Sequence, residues 1–152
     1  MLRARYEKFL NGDPDWSNNL TEAQLNYLHL YLPDNLVKDR SRKQQLKFRQ
    51  DVLEKYEECF ITGFDAEECD ACHIIPHEKG GSFKVDNGIL LCKNLHYLFD
   101  KGYWTIKEGK ILLSPQIKNK KTLIKQYEGF TLEINKEMEN NLIWHYKNIF
   151  QK

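Results

Sequence analysis

The segment that decides the reading of this chain runs Asp70-Ala71-Cys72-His73-Ile74-Ile75-Pro76, then Gly80-Gly81, then Asn87-Gly88-Ile89-Leu90-Leu91-Cys92, and closes with Asn94-Leu95-His96-Tyr97-Leu98-Phe99-Asp100-Lys101-Gly102. Ile74 to Pro76 reads as a short apolar strand stopped by proline. Gly80-Gly81 and Asn87-Gly88 read as turns, the second leading into the apolar run Ile89 to Leu91. Asn94 to about Lys101 reads as a short helix that Gly102 ends. The order is strand, loop, strand or tight turn, helix.

Polar side chains of one chemical kind gather on this frame. His96 and Asp100 are four apart on the expected helix, so they share a face and can chelate one divalent cation. Imidazole nitrogen with carboxylate oxygen suits Mg²⁺, Mn²⁺, Zn²⁺ or Ni²⁺. His73 stands at the edge of an apolar strand, and a histidine near its ordinary pKa takes a proton from water at neutral pH. Asn87, at a turn, is expected either to brace a loop or to hold an imidazole in one tautomer. A cation, a base and a positioned water make a hydrolytic site for a phosphodiester.

Working outward, Val37 to Glu58 is expected to form a long helix, with Leu46, Leu53 and Tyr56 on its buried face and Phe48 and Val52 flanking. Before it, Thr21-Glu22-Ala23-Gln24 has a capping-box pattern and Leu25, Leu28 and Leu32 follow at helical spacing up to Pro33. After the central segment, Tyr103 to Ile106 and Lys110 to Leu113 read as strands around Lys107-Glu108-Gly109. Thr122 to Tyr127 reads as a short helix, Phe130 to Ile134 as an alternating strand, and Glu137 to Phe150 as a docked closing helix. No repeat or linker divides the chain.

Composition narrows the partners. The chain has 152 residues, enough for one domain with a core, and a formal charge of +1, so it is not a basic protein as a whole. The cations are clustered, however. Lys38, Arg40, Arg42, Lys43, Lys47 and Arg49 fall in one short run, which is either a solvated helix face or a phosphate-binding one. Lys79, Lys84, Lys93 and Lys101 surround the proposed site. Acids collect from Glu54 to Asp70, and the patch from Glu54 to Glu68 reads as a solvated surface. There is no secretory signal and no apolar run near the roughly 20 residues that span a bilayer, so no membrane is expected and an intracellular, cytoplasmic setting is the default. The cysteines Cys59, Cys69, Cys72 and Cys92 then favour metal ligation over disulfides, with Cys69 and Cys72 at chelating spacing. His29 and His145 read as packing residues, and His77 as a phosphate contact or plain surface.

In this order and spacing the motifs resemble the HNH endonuclease family, in particular its restriction-type branch. Cys59-Phe60-Ile61-Thr62-Gly63 belongs to the same likeness, and Leu142, Trp144, His145 and Phe150 are similar to that branch's closing helix. The resemblance implies an α+β fold with a ββα-metal core at about 59–102, inside a nuclease domain over 37–152. A helical segment over 1–36 precedes it, for dimerisation or recognition. It implies His73 as general base, Asn87 as the central asparagine, and His96 and Asp100 as ligands of one divalent cation, Mg²⁺ or Mn²⁺ before Zn²⁺ or Ni²⁺. Many members carry Asp or His directly before the base; here that residue is Cys72, and Asp70 is the candidate to supply the carboxylate. Many relatives also hold a structural zinc through two Cys-x-x-Cys pairs. Cys59-x-x-Thr62 and Cys92-x-x-Leu95 each keep only the first cysteine, so a structural zinc is not expected, a rearranged set of all four cysteines being the alternative. The implied activity is DNA hydrolysis to 5′-phosphate and 3′-hydroxyl ends, with double-stranded DNA and a second copy of the chain as partners. Arg40, Arg42, Lys43, Lys47, Arg49 and Lys93 are the candidate DNA contacts. The rival readings are a non-catalytic nucleic-acid-binding module, and a nuclease for RNA or single strands.

Overall fold

The computed structural model describes residues 34–152, with side chains from residue 42 onward. The capping box at Thr21 and the leucines after it lie outside the described residues, as does the side chain of Arg40. The chain divides into two compact units, 1–43 and 44–152. The fold of the second is mixed α+β.

Helix α1 spans Asp34–Tyr56. Strands β1 (Cys69–His73) and β2 (Gly88–Cys92) pair antiparallel, with Cys69 opposite Cys92 and His73 opposite Gly88. Helix α2 (Lys93–Asp100) follows β2 without a break. These three elements form a ββα unit. A second hairpin, β3 (Trp104–Lys107) and β4 (Lys110–Leu113), turns at Glu108 and Gly109, both with positive φ. Helix α3 (Lys136–Asn148) is capped by the Asn135 side chain, which accepts from the Met138 N–H at 2.8 Å.

The core explains the order. β2 is buried along its whole length, so its run of Ile89, Leu90 and Leu91 carries no polar alternation. Leu95, Leu98 and Phe99 of α2 and Phe48 and Val52 of α1 join the same cluster. Trp104 is fully buried, and its indole N–H donates to the Leu95 carbonyl at 3.0 Å, tying α2 to the second hairpin. Gly102, at φ +76°, ends α2, and a Cβ there would fall 2.1 Å from the Ile149 carbonyl oxygen.

Four sequence expectations change. The first strand is Cys69–His73, not Ile74 to Pro76, because pairing with β2 outweighs the apolar run after it. Phe48 and Val52 are the buried face of α1, whereas Leu46 is 62% exposed. Phe130 to Ile134 makes only an isolated bridge, Thr131 with Lys110, in place of a strand. Gly88 is extended at φ −128° rather than a turn. Glycine is needed there because a Cβ would meet Val52 at 2.5 Å and Phe48 at 2.9 Å.

Candidate active site

The loop 74–87 leaves β1 at His73 and returns to β2, and Asn87 holds its two limbs together. The Asn87 carboxamide oxygen accepts the Ile75 N–H at 2.9 Å, while its nitrogen donates to the Ile75 and Ser82 carbonyls at 3.0 and 2.9 Å. The Ile74 N–H reaches the Asn87 carbonyl at 2.9 Å. Three side-chain bonds from a residue that is 1% exposed satisfy backbone groups that would otherwise be buried alone. Gly81 permits the closeness, since a Cβ there would sit 1.8 Å from the Ile75 carbonyl oxygen. Of the two tasks expected for Asn87, bracing the loop is the one with bonds to support it.

That brace fixes the residue where the loop begins. The His73 ring stacks on Phe48 at 3.9 Å, nearly parallel at 7°, and Phe83 meets its face edge-on at 5.5 Å. Nε2 lies 3.3 Å from the Gln45 side-chain oxygen. Nδ1 is sealed from solvent and has no partner at good hydrogen-bond geometry. Burial, and then the neighbouring His77, push the His73 pKa down, against smaller upward pulls from the Ser82 backbone and Asp100. His73 is therefore a neutral imidazole at pH 7, with Nε2 facing the Gln45 carboxamide at the cleft.

Across the cleft, α2 presents His96 between two carboxylates. Its Nδ1 is 3.1 Å from Asp70 Oδ2 on β1, and its Nε2 is 3.0 Å from Asp100 Oδ2 one turn along the helix. The hydrogen bond to Asp100 leads in raising the His96 pKa, with Asp70 adding to it and burial opposing. Cys72, fully buried, points its sulfur at Asp100 Oδ1 from 3.8 Å, and burial followed by the Asp100 charge keeps it a neutral thiol. Asp70 and Asp100 thus lie against opposite ring nitrogens of His96, and the imidazole with the Asp100 carboxylate is the donor pair that suits a hard or borderline divalent cation. The ligand atoms of Cys72, His96 and Asp100 also lie within 4.8 Å of one another.

His73, His96, Asp100 and Gln45 line one cleft of about 390 Å³, with Lys79, Glu78 and His77 at its polar edge. The family model described as HNH endonuclease matches residues 59–107, which contain His73, His96, Asn87 and both acids of the site, Asp70 and Asp100. This segment belongs to the HNH endonuclease family. A comparison with curated proteins finds no match. The HNH segment accounts for the ββα unit and for a nuclease's kind of site. Gln45 and Phe48, which touch the candidate base, lie outside it on α1.

Sequence reasoning assigned neither to the site. A glutamine on a charged helix carries no signal, and Phe48 was placed at the margin of the apolar face. His145 lies on α3. It is buried, stacked on Phe99 at 3.8 Å, and bonded through Nε2 to the Phe99 carbonyl and through Nδ1 to the Thr105 hydroxyl. It was expected to pack, and it does so beneath α2, the helix that carries His96.

The candidate DNA contacts are less concentrated. Arg49 and Lys93 are exposed, and Lys47 pairs with Asp51 at 3.2 Å. Arg42 and Lys43 are exposed in the first unit. Glu54, Glu57, Glu58, Asp65, Glu67 and Glu68 are all exposed, as expected of a solvated acidic surface. Among the described residues, no helix is long and apolar enough to cross a membrane.

Proposed function

We propose that this chain is a metal-dependent endonuclease that hydrolyses DNA phosphodiesters to 5′-phosphate and 3′-hydroxyl ends, and that it acts as a restriction-type enzyme. The carrying observation is that a neutral His73 and the His96–Asp100 pair open into one cleft, with Asp70 behind His96. His73 is the general base. Its Nδ1 keeps the proton, facing the Ser82 backbone, and Nε2 receives one from water once the Gln45 carboxamide swings aside. Phe48 and Phe83 hold the ring in plane for that transfer, and Asn87 fixes the loop from which it projects. His96, Asp100 and Asp70 are the metal ligands. A divalent cation bound there supplies a positive charge for the phosphate oxygens in the transition state. Mg²⁺ or Mn²⁺ fits the two carboxylates best; Zn²⁺ or Ni²⁺ would draw on Cys72 as well. Lys79 and Lys93 are suited to phosphate, together with Arg49 and the basic run around Arg42.

One such centre cuts one strand, so cleavage of both strands at one place implies a homodimer of two-fold symmetry. The test is plasmid cleavage with Mg²⁺, Mn²⁺ or EDTA, using the wild type and His73→Ala. Discrete fragments that vanish in EDTA and in the variant support a sequence-specific nuclease. No cleavage of any DNA with any metal supports a non-catalytic binding module, and cleavage confined to RNA or single strands redirects the substrate.

A further inference from the structure

The four cysteines, all free thiols, do not form one set. Cys72 faces Asp100, whereas Cys59, Cys69 and Cys92 bring their sulfurs within 4.8 Å of one another at the opposite end of the hairpin. Each comes from a different segment: the turn after α1, the first residue of β1, and the last residue of β2. Cys69 and Cys92 face each other across the strand pair. All three are at most 4% exposed.

The turn after α1 places polar groups against two of the three sulfurs. The Cys59-Phe60-Ile61-Thr62-Gly63 turn, closed by Gly63 N–H to the Cys59 carbonyl and by positive φ at Gly63, aims the Thr62 N–H at Cys59 Sγ from 3.4 Å. The Thr62 hydroxyl lies 3.2 Å from Cys92 Sγ. Three thiolates this close would repel one another, and a cation between them would remove that repulsion.

We propose that Cys59, Cys69 and Cys92 bind a structural Zn²⁺ or similarly thiophilic cation, separate from the catalytic cleft, with an oxygen at the fourth position next to the Thr62 hydroxyl. Sulfurs on one tetrahedral zinc stand roughly 3.8 Å apart, from a Zn–S bond of about 2.3 Å. Closing the cluster from within 4.8 Å therefore takes side-chain rotation rather than refolding. The usual pairing of two Cys-x-x-Cys motifs is replaced by one cysteine from each of three segments, which is why reading the motifs alone gave no zinc. Cys92 is also the residue that caps α2. The cation would thus pin the start of the helix that presents His96 and Asp100.

The proposal does not depend on nuclease activity, and its test reads metal directly. Full-length protein from zinc-supplemented cells, passed over a chelating resin, should retain one zinc per chain, released by a mercurial reagent that titrates thiols. His96→Ala and Cys72→Ser should retain it, and Cys69→Ser should not. Cobalt exchanged into the reduced wild type should give a thiolate-to-metal charge-transfer band whose intensity corresponds to three sulfurs; this reading holds even if Cys69→Ser fails to fold. Wild type that keeps no zinc and gives no such band, or a band that survives Cys69→Ser, overturns the assignment. Loss of the metal with His96→Ala would overturn it too, by moving the ion to the cleft.

Discussion

Half-buried His73 and buried His145 both have a lowered pKa, yet their bonding separates them. His145 is fully satisfied as a neutral ring: Nε2–H donates to a carbonyl and Nδ1 accepts from Thr105. Burial brings its pKa down to about 4. Because the folded value lies below the unfolded value near 6.5, the unfolded chain binds the extra proton first. Its contribution is complete above pH 6.5 and is lost as pH falls towards 4, by about 3 kcal/mol in all. Thermal melts between pH 7 and 4 should show that slope, and His145→Gln should flatten it; an unchanged slope would refute the assignment. His73 by contrast leaves a ring nitrogen for chemistry. Its lowered pKa puts the acid limb of kcat/KM at saturating metal below pH 6.5, which a pH–rate profile measures. A limb at or above 6.5 would argue against His73 as the base.

At the scale of elements, the site depends on two close approaches. The loop 74–87 is held by Asn87, so Asn87→Ala strands the Ile75 N–H and carbonyl and should destabilise the protein by about 3 kcal/mol. Asn87→Asp keeps the acceptor but sets a buried carboxylate against the Ile75 and Ser82 carbonyls, so its midpoint in urea should fall at least as far as that of the alanine variant. The second approach is α1 on β2, where Phe48 and Val52 lie against Gly88. Gly88→Ala forces that helix away from the strand and with it Phe48 away from the His73 ring. We expect a fall of at least tenfold in cleavage rate with the metal affinity of the cleft unchanged, read by calorimetry. Equal losses of rate and metal affinity would mean that the damage had spread to α2.

For the whole molecule, a net charge of +1 makes the placement of cations, not their number, the source of any hold on DNA. Arg49 and Lys93 are exposed on the second unit, and each phosphate they neutralise releases counterion. Arg49→Ala and Lys93→Ala should each lower the slope of log affinity against log salt by about 0.9, measured on duplex DNA in EDTA so that no cutting intervenes. A slope untouched by either change would remove that residue from the interface. Lys47, already paired with Asp51, should matter less.

The sequence by itself determined the helix that carries His96 and Asp100, because i and i+4 share a face whatever the surroundings. It also determined the second hairpin, through Glu108-Gly109, and the HNH order of His73, Asn87 and His96. What it left open depended on partners distant in the chain. Only pairing with β2 shows that β1 ends at His73, since a β-strand is defined by its neighbour and not by its own apolar run. Only packing shows that Phe48 rather than Leu46 faces inward and that Gly88 is there to admit α1. The tertiary structure likewise divided the cysteines, setting three together and one beside Asp100. Spacing along a chain gives the local period of side chains, whereas their meeting across strands and loops is set by the fold.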